Sequence, residues 1–219
     1  TGVNTEHVGH PLLDALTDIP TTRPADDASD LVLLPGSRAS VIDLNLPWML
    51  ERVAPLVKEG ARVIVLQDSP RHGGRVRNHI LNSTVSGQVD VRTSDLHTHL
   101  AAARSAFSVS GTVLLDLLHH RLPTVVIYRL ESGLAWLRPR LLNTPYFAST
   151  NLLSGRELIP EFGFTGNGPT AAVESALRVA HFDEEWRSDC ITGLDDAARC
   201  LGPAGATRRA ARALLRHAQ

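Results

Sequence analysis

Two short turns of small residues carry the clearest chemical signal in the sequence. Gly36-Ser37-Arg38 follows an apolar run, and Ser110-Gly111-Thr112 follows another. Glycine lets the backbone approach a ligand closely, and a helix that begins after such a turn offers unpaired N–H groups to a phosphate. Arg38 could add a bidentate contact. The turns predict a phosphate site, although such turns occur throughout α/β proteins and neither matches the P-loop or the full dinucleotide fingerprint.

Asp116 lies four residues after Thr112, so both side chains project from one face of the helix predicted there. An acid one turn inside a helix can accept hydrogen bonds from ribose hydroxyls. The alternative is that it stabilises the helix through the dipole, an effect of ~0.3–1 kcal/mol. Leucines at 114, 115, 117 and 118 nearly surround it, and a buried acid needs polar partners. These surroundings favour a ligand role for Asp116.

Other reactive groups give weaker signals. The chain has 10 histidines, with HTH at 97–99 and HHR at 119–121, but no zinc motif combines them with carboxylates at a known spacing. We therefore expect no metal and no cofactor. The sequence has no GxSxG motif, which argues against a serine hydrolase of the α/β-hydrolase type.

These turns need a scaffold in which several strands end side by side. Apolar runs typical of buried parallel strands alternate with segments of helical spacing through residues 31–128. This alternation predicts a doubly wound α/β fold, in which ligands bind beyond the carboxyl ends of the strands. The predicted strands are 31–34, 61–68, 88–93, 106–112 and 122–128, and the predicted helices are 46–60, 95–105 and the segment after Thr112.

Several segments fit this alternation less well. Pro55 is awkward inside the helix predicted at 46–60, and residues 71–88, rich in Arg, Gly, Asn and Ser, are predicted to be irregular. Residues 134–142 combine leucines and Trp136 with two arginines. That composition allows an interfacial membrane segment, and the alternative is a core-facing helix with snorkelling arginines. Near the end of the chain, 170–180 and 206–219 are helical in composition.

Composition limits the classes of function. Hydrophobic residues make up 43% and charged residues 21% of the 219 residues, as in a soluble globular protein. The net charge of −1 gives no argument for nucleic-acid binding. Cys190 and Cys200 lack metal or redox spacing, so a reducing compartment is expected. The longest uncharged run, 141–155, is broken by polar residues and cannot span a membrane.

The order of six short motifs resembles that of one enzyme family. They follow the order and approximate spacing of the carboxyl-terminal half of lipid-A-disaccharide synthase, in a match that extends over most of residues 7–162. Each motif alone is weak, and the set is specific. The motifs are VGHPLLDAL at 8–16, LLPGSR at 33–38, SGTVLLD at 110–116, PTVVIYR at 123–129, WLRPRLLNTPY at 136–146 and NLLSGRELIPE at 151–161.

The resemblance implies one Rossmann-like half of a glycosyltransferase B fold, a parallel sheet with helices on both faces. It implies an inverting, metal-independent hexosyltransferase that transfers diacylglucosamine from UDP to diacylglucosamine 1-phosphate. Gly36, Ser37 and Arg38 would face the diphosphate. Ser110, Gly111 and Thr112 would contact phosphate or sugar, and Asp116 the ribose or uracil. The remaining residues that the resemblance places in the UDP-sugar site are Arg129, Asn151, Gly155, Arg156 and Glu161.

This chain departs from the family pattern at four places. Val41 stands where the family usually has an acid, and Asp116 replaces a longer glutamate. Ser149-Thr150 replaces Leu-Pro, and the family's glutamine after the Pro-Glu pair is replaced within Phe162-Gly163-Phe164. These differences leave open a relative that uses another nucleotide sugar.

The predicted organisation has three parts. Residues 1–30 form an interdomain linker region, 31–165 a UDP-sugar-binding domain, and 166–219 a helical segment that packs on this domain or a partner domain. The family's acceptor domain lies in its amino-terminal half, so the sequence assigns no catalytic residue and the isolated chain is expected to bind donor without catalysis. Two alternatives are a UDP-sugar epimerase-like enzyme and a non-catalytic nucleotide-sugar-binding module.

The resemblance also indicates partners and a location. The expected partners are the UDP-sugar donor and, where an upstream domain is present, a lipid acceptor. A homodimer is left open, and no nucleic acid is expected. The expected location is the cytoplasm, with peripheral contact to the inner membrane as an alternative, because the family works at that surface.

Overall fold

The computed structural model describes residues 5–25, 28–67, 70–93, 95–130 and 145–217. All the described strands belong to one parallel sheet, ordered β3-β2-β1-β4-β5-β6. The strands are β1 (Asp30–Leu34), β2 (Arg62–Leu66), β3 (Val89–Arg92), β4 (Ala103–Val109), β5 (Thr124–Leu130) and β6 (Glu161–Thr165).

The described helices connect these strands or follow the sheet. They are α1 (Leu12–Ala15), α2 (Ala39–Lys58), α3 (Gly73–Leu81), α4 (Leu96–Ala102), α5 (Val113–His119), α6 (Ser149–Ser154), α7 (Thr170–Phe182), α8 (Glu184–Arg199) and α9 (Ala206–His217). A short 3-10 turn, Pro70–His72, precedes α3. None of the described helices is both long and apolar enough to cross a bilayer.

The two faces of the sheet bury separate hydrophobic clusters. Successive residues of β1 alternate between them, because side chains in a strand point to opposite faces. Leu31 and Leu33 pack with α2, α3 and α7, whereas Val32 and Leu34 pack with α4, α5 and α8. The predicted sheet with helices on both faces is therefore confirmed.

The strand order places a crevice at the centre of the sheet. From β1 the chain proceeds outward to β2 and β3, and β4 then returns to the other side of β1. Loops that leave β1 and β4 diverge at this point, where open α/β sheets bind their ligands. The turns 36–38 and 110–112 follow these two strands directly.

The structure corrects two sequence expectations. Residues 71–88 were expected to be irregular, which is wrong, because α3 occupies Gly73–Leu81 and buries Val76 and Ile80, four residues apart on one face. The helix predicted at 95–105 ends at Ala102, where β4 begins. The sequence also did not predict α6, β6 or α8. The helix or interfacial segment predicted at 134–142 lies outside the described residues.

Residues at the two ends of the described chain contact each other. Asp14 accepts hydrogen bonds from the backbone N–H groups of residues 205–207 and so caps α9. Arg209 Nε donates to the carbonyl oxygen of Val8 at 2.9 Å. We call these contacts the Asp14 clasp. Earlier in the chain, α7 buries Val173 and Leu177 in the same cluster as α2.

Candidate functional site

A cavity of about 510 Å³ opens where β1, β2, β3 and β4 end. Its size suits a small-molecule ligand. Both turns identified from the sequence contribute to its walls, together with the first residues of α4 and α5. Its lining comprises Leu34, Gly36, Ser37, Arg38, Val41, Leu66, Gln67, Arg92, Thr93, Asp95, Leu96, Val109, Ser110, Gly111, Thr112, Val113 and Asp116.

The turn after β1 is shaped by Gly36. Its φ is +107°, and a Cβ at this position would lie 2.6 Å from Val41 Cγ1. The close approach lets α2 begin directly over the cavity, with Arg38 at its N-cap and no acid in its first turn. Its N-terminal N–H groups and the exposed Arg38 guanidinium give this wall a positive potential. The wall is suited to an anion.

The turn after β4 differs from the first. Gly111 is exposed and has no positive φ, and a Cβ there would meet no atom of the described residues within 4 Å, its chain neighbours aside. Nothing in the described part of the chain thus requires a glycine at this lining position. Ser110 Oγ donates to the carbonyl oxygen of Phe147 at 3.4 Å, which ties the turn to the chain before α6.

Asp116 lines the cavity from the first turn of α5, with 15% of its side chain exposed. Its Oδ1 lies 4.0 Å from His97 Nε2, and His97 Nδ1 lies 3.0 Å from His120 Nε2. His120 Nδ1 in turn lies 2.7 Å from Thr22 Oγ1. Burial, assisted by the neighbouring His119 and His97, lowers the pKa of His120 to about 4. His120 is therefore a neutral imidazole near pH 7.

These histidines do not form a metal site with acidic neighbours. Within the described ranges, no group of three or more His, Cys, Asp or Glu residues is arranged to hold a metal ion. The row from Asp116 to Thr22 instead ties the cavity wall to α4 and to the N-terminal segment by polar contacts.

Sequence reasoning missed Gln67, which follows β2 and lines the cavity. The residue is 3% exposed, and neither Oε1 nor Nε2 has a hydrogen-bond partner among the described residues. Its signal was available, because Gln67 is a polar residue directly after the apolar run Val63–Leu66. A carboxamide in that place reaches the carboxyl edge of the sheet.

Asn151 and Glu161 do not line the cavity and instead organise the chain around α6. Asn151 is fully buried, and its Oδ1 accepts from the backbone N–H groups of Leu158 and Ile159 at 2.8 and 3.0 Å. Glu161 accepts from the backbone N–H groups of residues 147 and 148 and from Asn151 Nδ2. Their expected contacts with donor remain predictions.

Three other expected site residues also lie outside the cavity lining. Gly155 ends α6 with a φ of +67°, and Arg156 Nη2 lies next to Gly193 of α8. Arg129, at the end of β5, donates from Nη1 to the carbonyl oxygen of Leu44 in α2 at 2.6 Å. The structure thus brings Gly36, Ser37, Arg38, Ser110, Gly111, Thr112 and Asp116 together, and places Arg129, Asn151, Gly155, Arg156 and Glu161 elsewhere.

A family model described as Lipid-A-disaccharide synthetase matches residues 1–185. The chain belongs to this family. The match extends well beyond half of the chain and includes both turns and Asp116.

Curated relatives in the lipid-A-disaccharide synthetase family agree with this match. The lipid-A-disaccharide synthase of Azotobacter vinelandii is 30% identical over 97% of the chain and 57% of its own length. That of Granulibacter bethesdensis is 34% identical over 78% of the chain and 46% of its length. The chain therefore spans about half the length of the curated relatives it matches.

Solved structures of other proteins share the fold of this family member. A putative UDP-N-acetylglucosamine 2-epimerase from Listeria monocytogenes superposes with a TM-score of 0.62 at 16% identity, over 97% of this chain and 52% of that one. TarM gives a TM-score of 0.55 at 8% identity, over 90% of this chain and 37% of that one. At these identities the likeness concerns the fold alone. The expected Rossmann-like half of a glycosyltransferase B fold is confirmed.

Proposed function

We propose that this chain is the donor-binding half of a lipid-A-disaccharide synthase and that its cavity holds the UDP part of the donor. The reaction would transfer diacylglucosamine from UDP to diacylglucosamine 1-phosphate and release UDP. The observation that carries the proposal is the meeting of both sequence-predicted turns and Asp116 in one cavity at the centre of the sheet. Membership of the lipid-A-disaccharide synthetase family supports the choice of substrate class.

The diphosphate would lie against the N-terminus of α2. Arg38 and the backbone N–H groups after it offer positive charge, and the first turn of α2 has no acid to oppose an anion. On the opposite wall, Gly111 leaves open space where a side chain would otherwise stand. A phosphate or sugar that approaches the backbone closely accounts for a glycine there.

The ribose would lie against Asp116. Its carboxylate faces the cavity and can accept hydrogen bonds from two adjacent hydroxyls. His97 Nε2 lies 4.0 Å from Asp116 Oδ1, so this carboxylate has an imidazole beside it.

The same arrangement supports metal-independent transfer. Arg38 and the α2 N-terminus would stabilise the negative charge that develops on the leaving diphosphate. Inversion at the sugar needs a general base beside the acceptor hydroxyl. We propose that this base comes from the part of the family's length that this chain does not span, so that the isolated chain binds UDP but does not transfer sugar.

The acceptor, the location and the assembly state complete the proposal. A lipid acceptor requires access to a membrane surface. We propose that the protein acts in the cytoplasm, at the surface of the inner membrane. A homodimer and direct membrane contact remain proposals that sedimentation with and without vesicles would test.

Calorimetry with UDP tests the donor site. We expect binding to the wild-type chain, and a roughly 10- to 100-fold loss in Arg38→Ala, because a charge-assisted hydrogen bond contributes about 1.5–3 kcal/mol. Gly111→Ala should weaken binding without loss of stability. Gly74→Ala is the matched control, because Gly74 on α3 also has open space around it and does not line the cavity.

A wild-type chain that binds no UDP at millimolar concentration would overturn the proposal. The epimerase alternative is separated by incubating the chain with UDP-N-acetylglucosamine and following the configuration at C2 of the sugar by NMR. Inversion at that carbon would favour the alternative over sugar transfer.

A further inference from the structure

Gln67 is a buried amide whose side-chain hydrogen bonds are not made by the residues that the structure describes. Its backbone N–H donates to the carbonyl oxygen of Arg92 at 2.9 Å and continues the ladder between β2 and β3. Its side-chain Oε1 and Nε2 have no partner among the described residues. Buried polar groups are nearly always hydrogen-bonded, so an unpaired amide in a cavity wall points to a ligand.

The amide restricts what that ligand can be. A carboxamide presents a donor and an acceptor side by side, so a matching ligand must present an acceptor and a donor on one edge. A diphosphate offers acceptors only and would leave Oε1 unpaired. The imide edge of a uracil base, where N3–H lies beside a carbonyl oxygen, has the donor and the acceptor that would match Oε1 and Nε2 of Gln67.

The surroundings of Gln67 also suit a flat base. Leu66 precedes it in the floor of the cavity, and Leu96 contributes an apolar wall from the start of α4. His97, the next residue of α4, lies 4.0 Å from Asp116. A ribose held by Asp116 would therefore carry its base towards α4 and the end of β2. The cavity wall proposed for the diphosphate, at the N-terminus of α2, follows β1. Strand β1 is the neighbour of β2 in the sheet, and neighbouring strands lie about 4.8 Å apart.

We infer that Gln67 recognises the imide edge of the uracil base through a paired hydrogen bond and is a specificity-determining residue of the cavity. The inference rests on the proposed UDP site and deepens it. The sequence-based site included no residue from the end of β2. The inference gives that end of the strand a role in binding the nucleoside.

A cycle of two proteins and two ligands tests this pairing. The ligands are UDP and 3-methyl-UDP, in which a methyl group replaces the N3 hydrogen. We expect the wild-type chain to bind 3-methyl-UDP about tenfold more weakly than UDP, because the methyl group replaces the N3–H that donates to Gln67 Oε1. In Gln67→Ala, which leaves room for the methyl group, the two ligands should bind with similar affinity.

Stability separates recognition from a structural role. Gln67→Leu keeps most of the side-chain volume and removes two buried polar atoms without partners. Its melting temperature should equal or exceed that of the wild type while its affinity for UDP falls. The control is Asn45→Ala, which removes another buried amide outside the cavity lining and should leave the ratio of the two affinities unchanged.

The outcomes are distinct. An equal penalty for 3-methyl-UDP in the wild type and in Gln67→Ala would overturn the inference while leaving the proposed UDP site intact. A loss of affinity for UDP-N-acetylglucosamine but not for UDP in Gln67→Ala would also overturn it, because the amide would then contact the sugar. Absence of UDP binding to the wild type would overturn the proposed function, and this inference with it.

Discussion

Gly36 and Gly111 occupy equivalent places in the sequence pattern, yet the fold uses them differently. At Gly36 the backbone has a φ of +107°, and any Cβ would collide with Val41. At Gly111 neither restriction applies. The first glycine is required by the protein, whereas the second leaves space that no described residue fills.

Replacing Gly36 should therefore affect folding. We expect Gly36→Ala to lower the free energy of unfolding by about 1–3 kcal/mol, because the alanine must adopt a strained backbone beside Val41. Urea denaturation measures the change, with Gly111→Ala as the reference. Equal stabilities of the two variants would contradict this account of the turn.

Asn151 illustrates a residue that the motif identified and the fold explains in another way. Its buried carboxamide holds the chain from Leu158 to Ile159 against α6. We expect Asn151→Ala to lower the free energy of unfolding by about 2–4 kcal/mol, since it leaves several buried backbone groups unpaired. The dissociation constant for UDP, measured on the folded variant, should change little, and a large loss would restore a direct donor role.

Residue types and spacing predicted which residues of the two turns and of α5 lie together in the cavity lining. Arg38, Thr112 and Asp116 stand next to apolar runs, so their position at the sheet edge follows from local pattern. The unpaired state of Gln67 and the bonds of Glu161 depend on which distant segments surround them. Local spacing carries no information about those contacts.

At the scale of elements, α2 shows how tertiary packing overrides propensity. It continues from Ala39 to Lys58 through Pro47 and Pro55 and buries a long apolar face against the sheet. A proline inside a helix removes one hydrogen bond and crowds the preceding turn. By propensity alone Pro55 is unfavourable in a helix. The helix continues through it because residues on either side, Val53 and Leu56, are buried against the sheet.

Pro55→Ala should relieve this strain. We expect the free energy of unfolding to rise by about 1–3 kcal/mol, because alanine restores a backbone donor and is the best helix former. Thermal unfolding measures the change. A decrease would contradict this account and would mean that α2 packs better with proline than with alanine at this position.

Strands were easier to predict than the helices around them. From Val63 to Leu66, β2 is buried and uninterruptedly apolar. In contrast, α3 has only Val76 and Ile80 as buried aliphatic residues among polar neighbours. A helix with so few apolar residues has an amino-acid composition similar to that of a loop. The same reason explains why α8, with its many charged residues, was not predicted.

At the scale of the whole molecule, the alternation of strands and helices over residues 31–128 was enough to predict the sheet architecture. A parallel connection requires a helical crossover, and right-handed crossovers leave few possible strand orders. The place of β6 and of α7 could not be derived in this way, because the chain between β5 and β6 gave no clear pattern.

Two buried histidines make the stability of the molecule depend on pH. Burial is the main reason that the pKa of His120 and of His181 falls to about 4, and nearby cationic groups add to it. An unfolded histidine has a pKa near 6.5. Between pH 6.5 and 4 the unfolded chain therefore binds protons that the folded chain does not, and stability rises with pH.

We expect the free energy of unfolding to be largest above pH 6.5 and to fall as the pH drops towards 4. Each histidine contributes at most about 1.4 kcal/mol per pH unit. Urea denaturation at pH 7 and pH 5 measures the difference, and His181→Gln should make it smaller. A difference that His181→Gln leaves unchanged would remove this histidine as a cause.

The Asp14 clasp has a mechanical consequence. Glu6 pairs with Arg216 just beyond the clasp, at 2.8 Å, so residues at the two ends of the described chain lie side by side. A stretching force applied to these ends would first break the pair between Glu6 and Arg216, would peel α9 away, and would then break the bonds between Asp14 and residues 205–207. The parallel strands would bear load only afterwards, and the cavity at their carboxyl ends would keep its shape while the outer layer yields.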